Sequence, residues 1–465
     1  MSEPKQASRR RRPRRKPSGT SSRGRRPTGA SRVRTTDAPT VWTVCDAGDL
    51  ERLVAKLRAA GEFALDTEFI PENRLVPELG LVQVASEGVE AVVDPLAVKD
   101  LGPLYALVAD AGILKVVHSG KHDFDLFHNL AGVTPRNIFD TQVAAAVIGH
   151  GKRMQIALRA LVAGFMNREL SKQQQMSDWL KRPLSPRQIE YAISDVRYLL
   201  PLRDKLTAQA RRLGRMQWLT EEMEALTDAT AYGLPPVEDA YRPLDGAGLN
   251  AMQRGVLKEL AVWREKKARK ANLPRGWIMK DGVVRDLARR QPRNRGQLMA
   301  PYERAGGRPP KGDPRTLQQT RTILTKNAAT ILKLVAAGAK SPVPWDGPPK
   351  HRRRGAAESL SLLLETWLKL RAAQHEVAPE LLATQEELRA LSAAYPGEAE
   401  GVRTLSGFRR KVLGEDLLLI LSGKAVIQVG AGDAEGGMPP IRLARLGRLG
   451  RFMLRDSGSR NSRRK

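Results

Sequence analysis

Phe63-Ala64-Leu65-Asp66-Thr67-Glu68-Phe69 is a strand-like run with two acids set into it. A period of two places Asp66 and Glu68 on one face, and Leu65, Thr67 and Phe69 on the other. Two carboxylates side by side on an otherwise apolar strand repel each other and lose hydration. A divalent cation with oxygen ligands is the compensation such a pair suits. An edge strand with a solvated acidic face is the competing reading, and the tripeptide alone does not choose between them.

Outward from this run, β-rich segments fall at 41–45, 63–69, 79–85, 91–94 and 115–118, and helical patterns at 50–60, 101–110, 123–130, 141–149 and 185–212. Strands cluster early and helices late. The pattern predicts an α/β domain over residues 40–215, with a mixed sheet flanked by helices rather than a fully parallel one.

Two further elements carry acids. Lys115-Val116-Val117-His118-Ser119-Gly120-Lys121-His122-Asp123-Phe124-Asp125 reads as a strand leaving through a small-residue turn into a helix, with Asp123 in its first turn. An acid there is also ordinary helix-dipole compensation, and Asp140-Thr141-Gln142 reads equally as an N-cap. In Gln188-Ile189-Glu190-Tyr191-Ala192-Ile193-Ser194-Asp195-Val196, Tyr191 and Asp195 are four apart and share a helical face. A Tyr–Asp surface pair would look the same. Together, and in this order, the three elements point to a site for two divalent metal ions, whose charge the carboxylates of Asp66, Glu68, Asp123 and Asp195 balance. Two such ions about 3.5–4 Å apart activate a water and stabilise a leaving 3′ oxygen. Tyrosine, with a pKa near 10, is a poor base; orienting that water suits it better.

This order of residues resembles the DEDD 3′→5′ exonucleases with tyrosine in the third motif, and within them the ribonuclease D family. Ser177-Asp178-Trp179-Leu180-Lys181-Arg182-Pro183-Leu184-Ser185 carries the resemblance furthest, continued by Gln188, Tyr191-Ala192, Asp195-Val196 and Tyr198-Leu199-Leu200-Pro201. Pro77, Leu79, Leu81 and Gln83 also match. The resemblance implies an RNase H-like exonuclease fold, with Asp66, Glu68, Asp123 and Asp195 as ligands of two Mg²⁺ or Mn²⁺ ions and Tyr191 positioning the attacking water. Val76 departs from the pattern, which often has tyrosine there, without touching a ligand position. Gln83 and Asp140 are placed behind the ligands, orienting them. His118 is read as a core or supporting residue rather than a ligand.

Pro235-Pro236 and Pro243 mark a linker. Residues 244–335 and 356–424 are helical, separated by a Pro- and Arg-rich break. Trp263-Arg264, Leu273-Pro274 and Leu287-Ala288 of the first segment are echoed by Trp367, Leu370-Arg371, Ala378-Pro379 and Leu388-Arg389 of the second. The first resembles the helicase-and-ribonuclease-D C-terminal (HRDC) domain, and the second a degenerate copy of it ending in Gly407-Phe408-Arg409-Arg410. The predicted organisation is a basic arm at 1–39, an exonuclease domain at 40–215, two all-α HRDC-like domains at 240–335 and 356–425, and a basic tail at 430–465.

The chain has 465 residues, 79 Lys+Arg against 50 Asp+Glu, and a formal net charge of +29. Residues 1–36 hold thirteen of those cations and one acid, and residues 442–465 hold nine and one. The arm is rich in Ser, Pro and Gly, which cannot bury a core, so both tails are read as disordered tethers for a polyphosphate. The spacing of Arg442, Arg445, Arg448 and Arg451 also suits a short amphipathic helix. One cysteine, Cys45, excludes a disulfide scaffold and fits a reducing, cytoplasmic setting. No apolar run approaches the ~20 residues of a membrane span.

The expected activity is metal-dependent 3′→5′ trimming of structured RNA, such as tRNA precursors, with release of nucleoside 5′-monophosphates. A DNA exonuclease with the same site is an alternative, because sugar choice rests on 2′-OH contacts that the sequence does not place. A non-catalytic RNA-binding platform is another, but it predicts loss of an acid and all four are present. No Gly-Lys-Ser/Thr phosphate loop occurs, which excludes a helicase.

Overall fold

The chain enters a mixed sheet through β1 (Trp42–Val44), which leads into α1 (Ala47–Ala60), capped by Asp46. This is seen in a computed structural model that describes residues 41–171, 174, 176–245, 248–303, 313–345, 354–394, 401–430 and 441–445. Three strands follow: β2 (Glu62–Ile70), β3 (Glu78–Ser86) and β4 (Val89–Val93). Then come α2 (Gly102–Ala109), β5 (Leu114–Val117), α3 (Lys121–Ala131) and β6 (Ile138–Asp140). The strand order is β1-β4-β3-β2-β5-β6. β2–β3 and β3–β4 pair antiparallel, and β1–β4, β2–β5 and β5–β6 parallel. This is the expected mixed sheet, with one strand more than expected: Ile138-Phe139 is too short a run to show a period.

Alternation sorts the β2 side chains into two cores. Phe63 and Leu65 face α1, α2 and α3, meeting Leu50, Leu104 and Phe127. Ala64 faces the other way, toward α4 (Thr141–Val147), α5 (Leu158–Met166), α6 (Pro186–Arg197), α7 (Leu199–Arg212) and α8 (Met216–Ala225). The single helix expected over 185–212 is two, α6 and α7, meeting at Tyr198. Pro201 has no N–H to donate to Arg197 and its ring would clash with that carbonyl, so the first helix stops there.

α9 (Ala251–Ala271), α10 (Arg275–Ile278), α11 (Asp281–Arg290), α12 (Arg295–Met299), α13 (Pro314–Lys326) and α14 (Ala328–Lys340) build a separate core around Leu257, Leu260, Leu287 and Ile331. α9 and α14 touch backbone to backbone: a Cβ on Gly255 would lie 2.2 Å from the Gly338 carbonyl oxygen. Among the described residues, this body meets the sheet domain through a polar clamp at Asn272. Asn272, in the left-handed region at φ 47°, accepts the Val76 N–H at 2.8 Å and donates to its carbonyl at 3.1 Å.

The last helices are α15 (Arg354–Gln374), α16 (Pro379–Leu382) and α17 (Gln385–Ala394). α18 (Gly407–Arg409) then runs through a wide turn at Arg410–Gly414 into α19 (Glu415–Leu421). They share one apolar core with α4–α8, in which Leu219 and Ala144 join Leu381, Phe408 and Leu417. Phe408 stacks on Trp218 with ring centroids 4.6 Å apart, its N–H reaches Glu221 at 2.8 Å, and Arg409 pairs with Glu222 in the interior.

The expected tail needs correcting. Ile441–Arg445 is a strand, β8, paired antiparallel with β7 (Ala425–Val429). Arg442 and Arg445 therefore lie neither on a helix nor in a disordered segment: Leu443 and Ile441 pack on the core and hold that stretch extended. The basic arm at 1–39 and residues 446–465 of the tail lie outside the described residues. No helix among the described residues is long and apolar enough to cross a membrane.

Candidate active site

β2 delivers Asp66 and Glu68 to the face that α6 crosses. α6 begins at a capping box in which the Ser185 hydroxyl accepts the Gln188 N–H and the Gln188 side chain accepts the Ser185 N–H, with Pro186 in the first turn. Arg197 at its far end grips Glu90 of β4 through two hydrogen bonds of 2.7 and 2.9 Å. So anchored at both ends, α6 presents Tyr191 and Asp195 to β2. Carboxylate oxygens of Asp66, Glu68 and Asp195 come within 4.8 Å of one another.

Asp123 comes from the opposite side. It is buried in the first turn of α3, and the Thr67 hydroxyl donates to its Oδ1. Thr67 lies on the far face of β2, so Asp123 borders the other three across the strand. The turn that presents it is held by Asp140, whose two carboxylate oxygens accept the Ser119 and Gly120 N–H groups, each at 3.0 Å, while Oδ1 also caps α4 through Gln142. A side chain at Gly120 would strike Val117 at 2.6 Å, so the tight turn requires glycine there. Asp140 is thus both the N-cap and the brace that the sequence reading allowed.

Gln83 stands opposite Asp66 in the β2–β3 ladder and donates to its Oδ2 at 2.7 Å. The Ser177-to-Leu184 stretch earns its length as a buttress. Trp179 is buried beneath Tyr191, ring centroids 6.1 Å apart, against Gly80, where a Cβ would lie 2.8 Å from the Trp179 backbone oxygen. Arg182 holds the loop down by bonds to Asp94 at 2.6 and 2.7 Å and to the Gly80 carbonyl at 2.8 Å.

Burial is the main force on the four carboxyls, and it raises every one of them. Asp66 is pushed well above the usual range, with Asp123, Asp195 and Glu68 adding repulsion. Glu68 rises to about 8 by burial and then by Asp195 and Asp123. Burial takes Asp123 to about 7 and Asp195 to about 6. Tyr191 is raised by burial and by the charges of Asp195, Glu68 and Asp66, and its hydroxyl is bonded to Asp195. The charges acting on these groups are other carboxylates.

A cleft of about 410 Å³ opens over Asp66, Tyr191 and Asp195. His118 lines it, its Nδ1 2.9 Å from the Thr141 hydroxyl, and burial lowers its pKa. Ala157, Leu158, Arg159, Leu170 and Ser171 complete the wall. The sequence reading missed these five: they come from a stretch with no motif, at the start of α5 and just past its end, and only the tertiary path of the chain brings them here. Lys121, beside Asp123 on α3, is engaged by Asp125 at 2.8 Å and the Ala231 carbonyl at 2.9 Å, and Trp367 is a core residue bonded to Asp416.

A family profile described as 3′-5′ exonuclease matches residues 41–211, and one for the HRDC domain matches residues 253–301. Ribonuclease D of Sphingobium indicum is 36% identical over 392 residues, spanning 83% of this chain and 96% of that protein. Ribonuclease D of Granulibacter bethesdensis is 33% identical over 403 residues, spanning 84% and 95%. Among solved structures, Escherichia coli RNase D, an exoribonuclease involved in structured RNA processing, is similar with a TM-score of 0.70 and 28% identity, over 82% of this chain and 99% of its own.

Proposed function

From the premise that this chain belongs to the ribonuclease D family and is a 3′→5′ exoribonuclease, we propose how its residues divide the work and which RNA it trims. Asp66, Glu68, Asp123 and Asp195 would hold two divalent ions, Mg²⁺ or Mn²⁺. The observation that carries this is the convergence of carboxylate oxygens of Asp66, Glu68 and Asp195 within 4.8 Å, in a half-buried set made only of anionic oxygens. Such donors fit a hard cation. When bound, the ions acidify the attacking water and neutralise the leaving 3′ oxygen.

The remaining work belongs to the chain. Gln83 and Thr67 fix the rotamers of Asp66 and Asp123. Tyr191, kept protonated by its raised pKa, offers its hydroxyl to the attacking water rather than removing a proton from it. The cleft between α5 and α6 takes the 3′-terminal nucleotide, and in-line attack on its phosphate releases a nucleoside 5′-monophosphate.

The substrates we propose are structured RNAs, tRNA precursors among them, met in the cytoplasm. α15, α16 and α17 repeat the lengths of α9, α10 and α11, namely 21, 4 and 10 residues. That supports reading 356–425 as a degenerate second HRDC domain beside the first at 240–335 and the exonuclease domain at 40–215.

Digestion of matched 3′-tailed RNA and DNA, with Mg²⁺ and with EDTA, tests the whole reading. Metal-dependent loss of one nucleotide at a time from the RNA 3′ end, with DNA spared, is expected. Preferred cleavage of DNA, or binding without cleavage of either, would overturn it.

A further inference from the structure

The segment that leaves α8 toward Pro235-Pro236 is strapped to α3, the helix that carries Asp123. It runs in the direction of the helix, and successive turns of α3 take it up. Lys121 donates to the Ala231 carbonyl at 2.9 Å. The Gly233 N–H donates to Asp125 Oδ1 at 3.1 Å, and the Leu234 N–H to Asn129 Oδ1 at 3.0 Å. Lys121, Asp125 and Asn129 are four apart and form one stripe of the helix. Gly233 is left-handed at φ 79°, and a Cβ there would lie 2.5 Å from His128 Cδ2, so glycine alone lets the strap lie this close.

Between these polar contacts Tyr232 turns inward. It is buried, its ring stands edge-on to Phe124 with centroids 5.9 Å apart, and its hydroxyl donates to the Leu226 carbonyl, closing the segment on itself. Phe124 follows Asp123 in the chain and lies against the turn that presents it: a Cβ on Gly120 would sit 3.2 Å from Phe124 Cε2. Asp123 is therefore held from three sides. Thr67 acts on its carboxyl, Asp140 on the Ser119 and Gly120 N–H groups of the turn, and Tyr232 on the ring behind it. The first two fix the carboxyl and the turn; the strap fixes the roll of the helix about its own axis. That roll matters because a ligand set tolerates only about 0.5 Å of displacement.

We propose that Tyr232 is a positioning residue of the metal site: it fixes Asp123 through Phe124, so that the strap at 231–234 sets the affinity for the metal as well as joining two bodies. This rests on the reading of Asp123 as a metal ligand. The strap's next residue is held from the other side, where Arg269 of α9 donates to the Pro235 carbonyl. The middle body and Asp123 thus share one short piece of chain, and a shift of that body along it reaches the metal ligand.

Mn²⁺ binding to the full chain without RNA, followed by the electron paramagnetic resonance of the free ion, tests this with no turnover involved. Tyr232→Ala should raise the Mn²⁺ dissociation constant about tenfold. Tyr232→Phe keeps the ring and should bind as the parent does. Gly233→Ala drives a Cβ into His128, and Asn129→Ala releases the Leu234 N–H while leaving both rings in place. Both should weaken Mn²⁺ in the same direction, and they decide the matter should Tyr232→Ala fail to fold. With RNA and saturating Mg²⁺, kcat of Tyr232→Ala should return to near that of the parent with KM for RNA unchanged, because the loss lies in the metal. Val284→Ala supplies a loss of stability elsewhere, from the core of the middle body, and should bind Mn²⁺ as the parent does. Parent-like Mn²⁺ binding in folded Tyr232→Ala would reduce the strap to a linker and overturn the proposal. An equal loss in Val284→Ala would overturn it too, by tying the effect to stability in general. If the parent binds Mn²⁺ no better than Asp66→Asn does, the metal-site reading itself fails and the proposal with it, an outcome told apart because it is seen before any strap variant is made.

Discussion

Gln83 faces Asp66 across the β2–β3 ladder and donates to it at 2.7 Å, while its own Oε1 is buried without a partner. The amide is held in place chiefly by the carboxylate it serves. Gln83→Ala should leave the sheet folded and release Asp66 to rotate, weakening metal affinity or activity about 10- to 100-fold. A Mg²⁺ titration of the rate checks this: excess Mg²⁺ should recover part of the loss, and an unchanged titration would remove Gln83 from the site.

Asp66→Asn removes the carboxyl on which the charges of three others bear. RNA cleavage should fall to the background of the assay while RNA binding in EDTA is kept. Tyr191→Phe is milder: it deletes a hydroxyl that positions rather than reacts, so kcat should fall about a hundredfold with KM little changed. Single-turnover kinetics on a 3′-tailed RNA separates the two, and normal turnover in the Asn variant would sink the assignment.

The carboxyls fix a pH dependence whose sign follows from their direction. Glu68, Asp123 and Asp195 titrate near 8, 7 and 6 in the metal-free fold, against about 4 in an unfolded chain. The folded state therefore holds protons that the unfolded state has lost. Their contribution to stability is complete below about pH 4 and is lost progressively as pH rises from about 4 through about 8. In EDTA the melting temperature should fall over that window; with Mg²⁺ the fall should shrink, and metal binding should release protons. Parallel melting curves with and without Mg²⁺ would refute it.

Much of this site was legible from period and spacing, because each acid lies on a local element whose repeat is set by the backbone. Asp66 and Glu68 follow from the two-residue repeat of a strand, and Tyr191 and Asp195 from the four-residue spacing of a helix. Residues joined by tertiary path alone were not legible. Arg159 and Ser171 reach the cleft only by that path, and the Phe408–Trp218 stack joins helices nearly two hundred residues apart in sequence. β6 and the break at Tyr198 were missed for local reasons: a three-residue strand shows no period, and Pro201 acts four residues upstream of itself.

Glu222 and Arg409 form a buried pair between α8 and α18, with side chains 10% and 6% exposed. Glu222→Ala leaves a guanidinium in the interior without its counter-charge and should cost about 3–5 kcal/mol. Glu222→Leu combined with Arg409→Met should recover much of that. Denaturant unfolding measures both; additive losses in the double variant would show that the pair is not coupled.

Asn272→Gly preserves the left-handed backbone and deletes the two bonds to Val76. Hydrogen exchange at the Val76 amide should speed up by about one order of magnitude, the equivalent of roughly 1 kcal/mol. Trimming of a long structured RNA should slow more than digestion of a short oligonucleotide. Equal effects on both RNAs would mean that the clamp does not set how the two bodies share a substrate.

The core that runs unbroken from α4–α8 into α15–α19 decides where this protein divides. Removing the last helices would strip the cover from Leu219 and its neighbours and expose the inner wall of the catalytic domain, whereas the body built by α9–α14 closes around its own apolar centre. Modularity here runs against chain order. The middle is the interchangeable part, and the segments on either side of it, distant in sequence, fold and fail together.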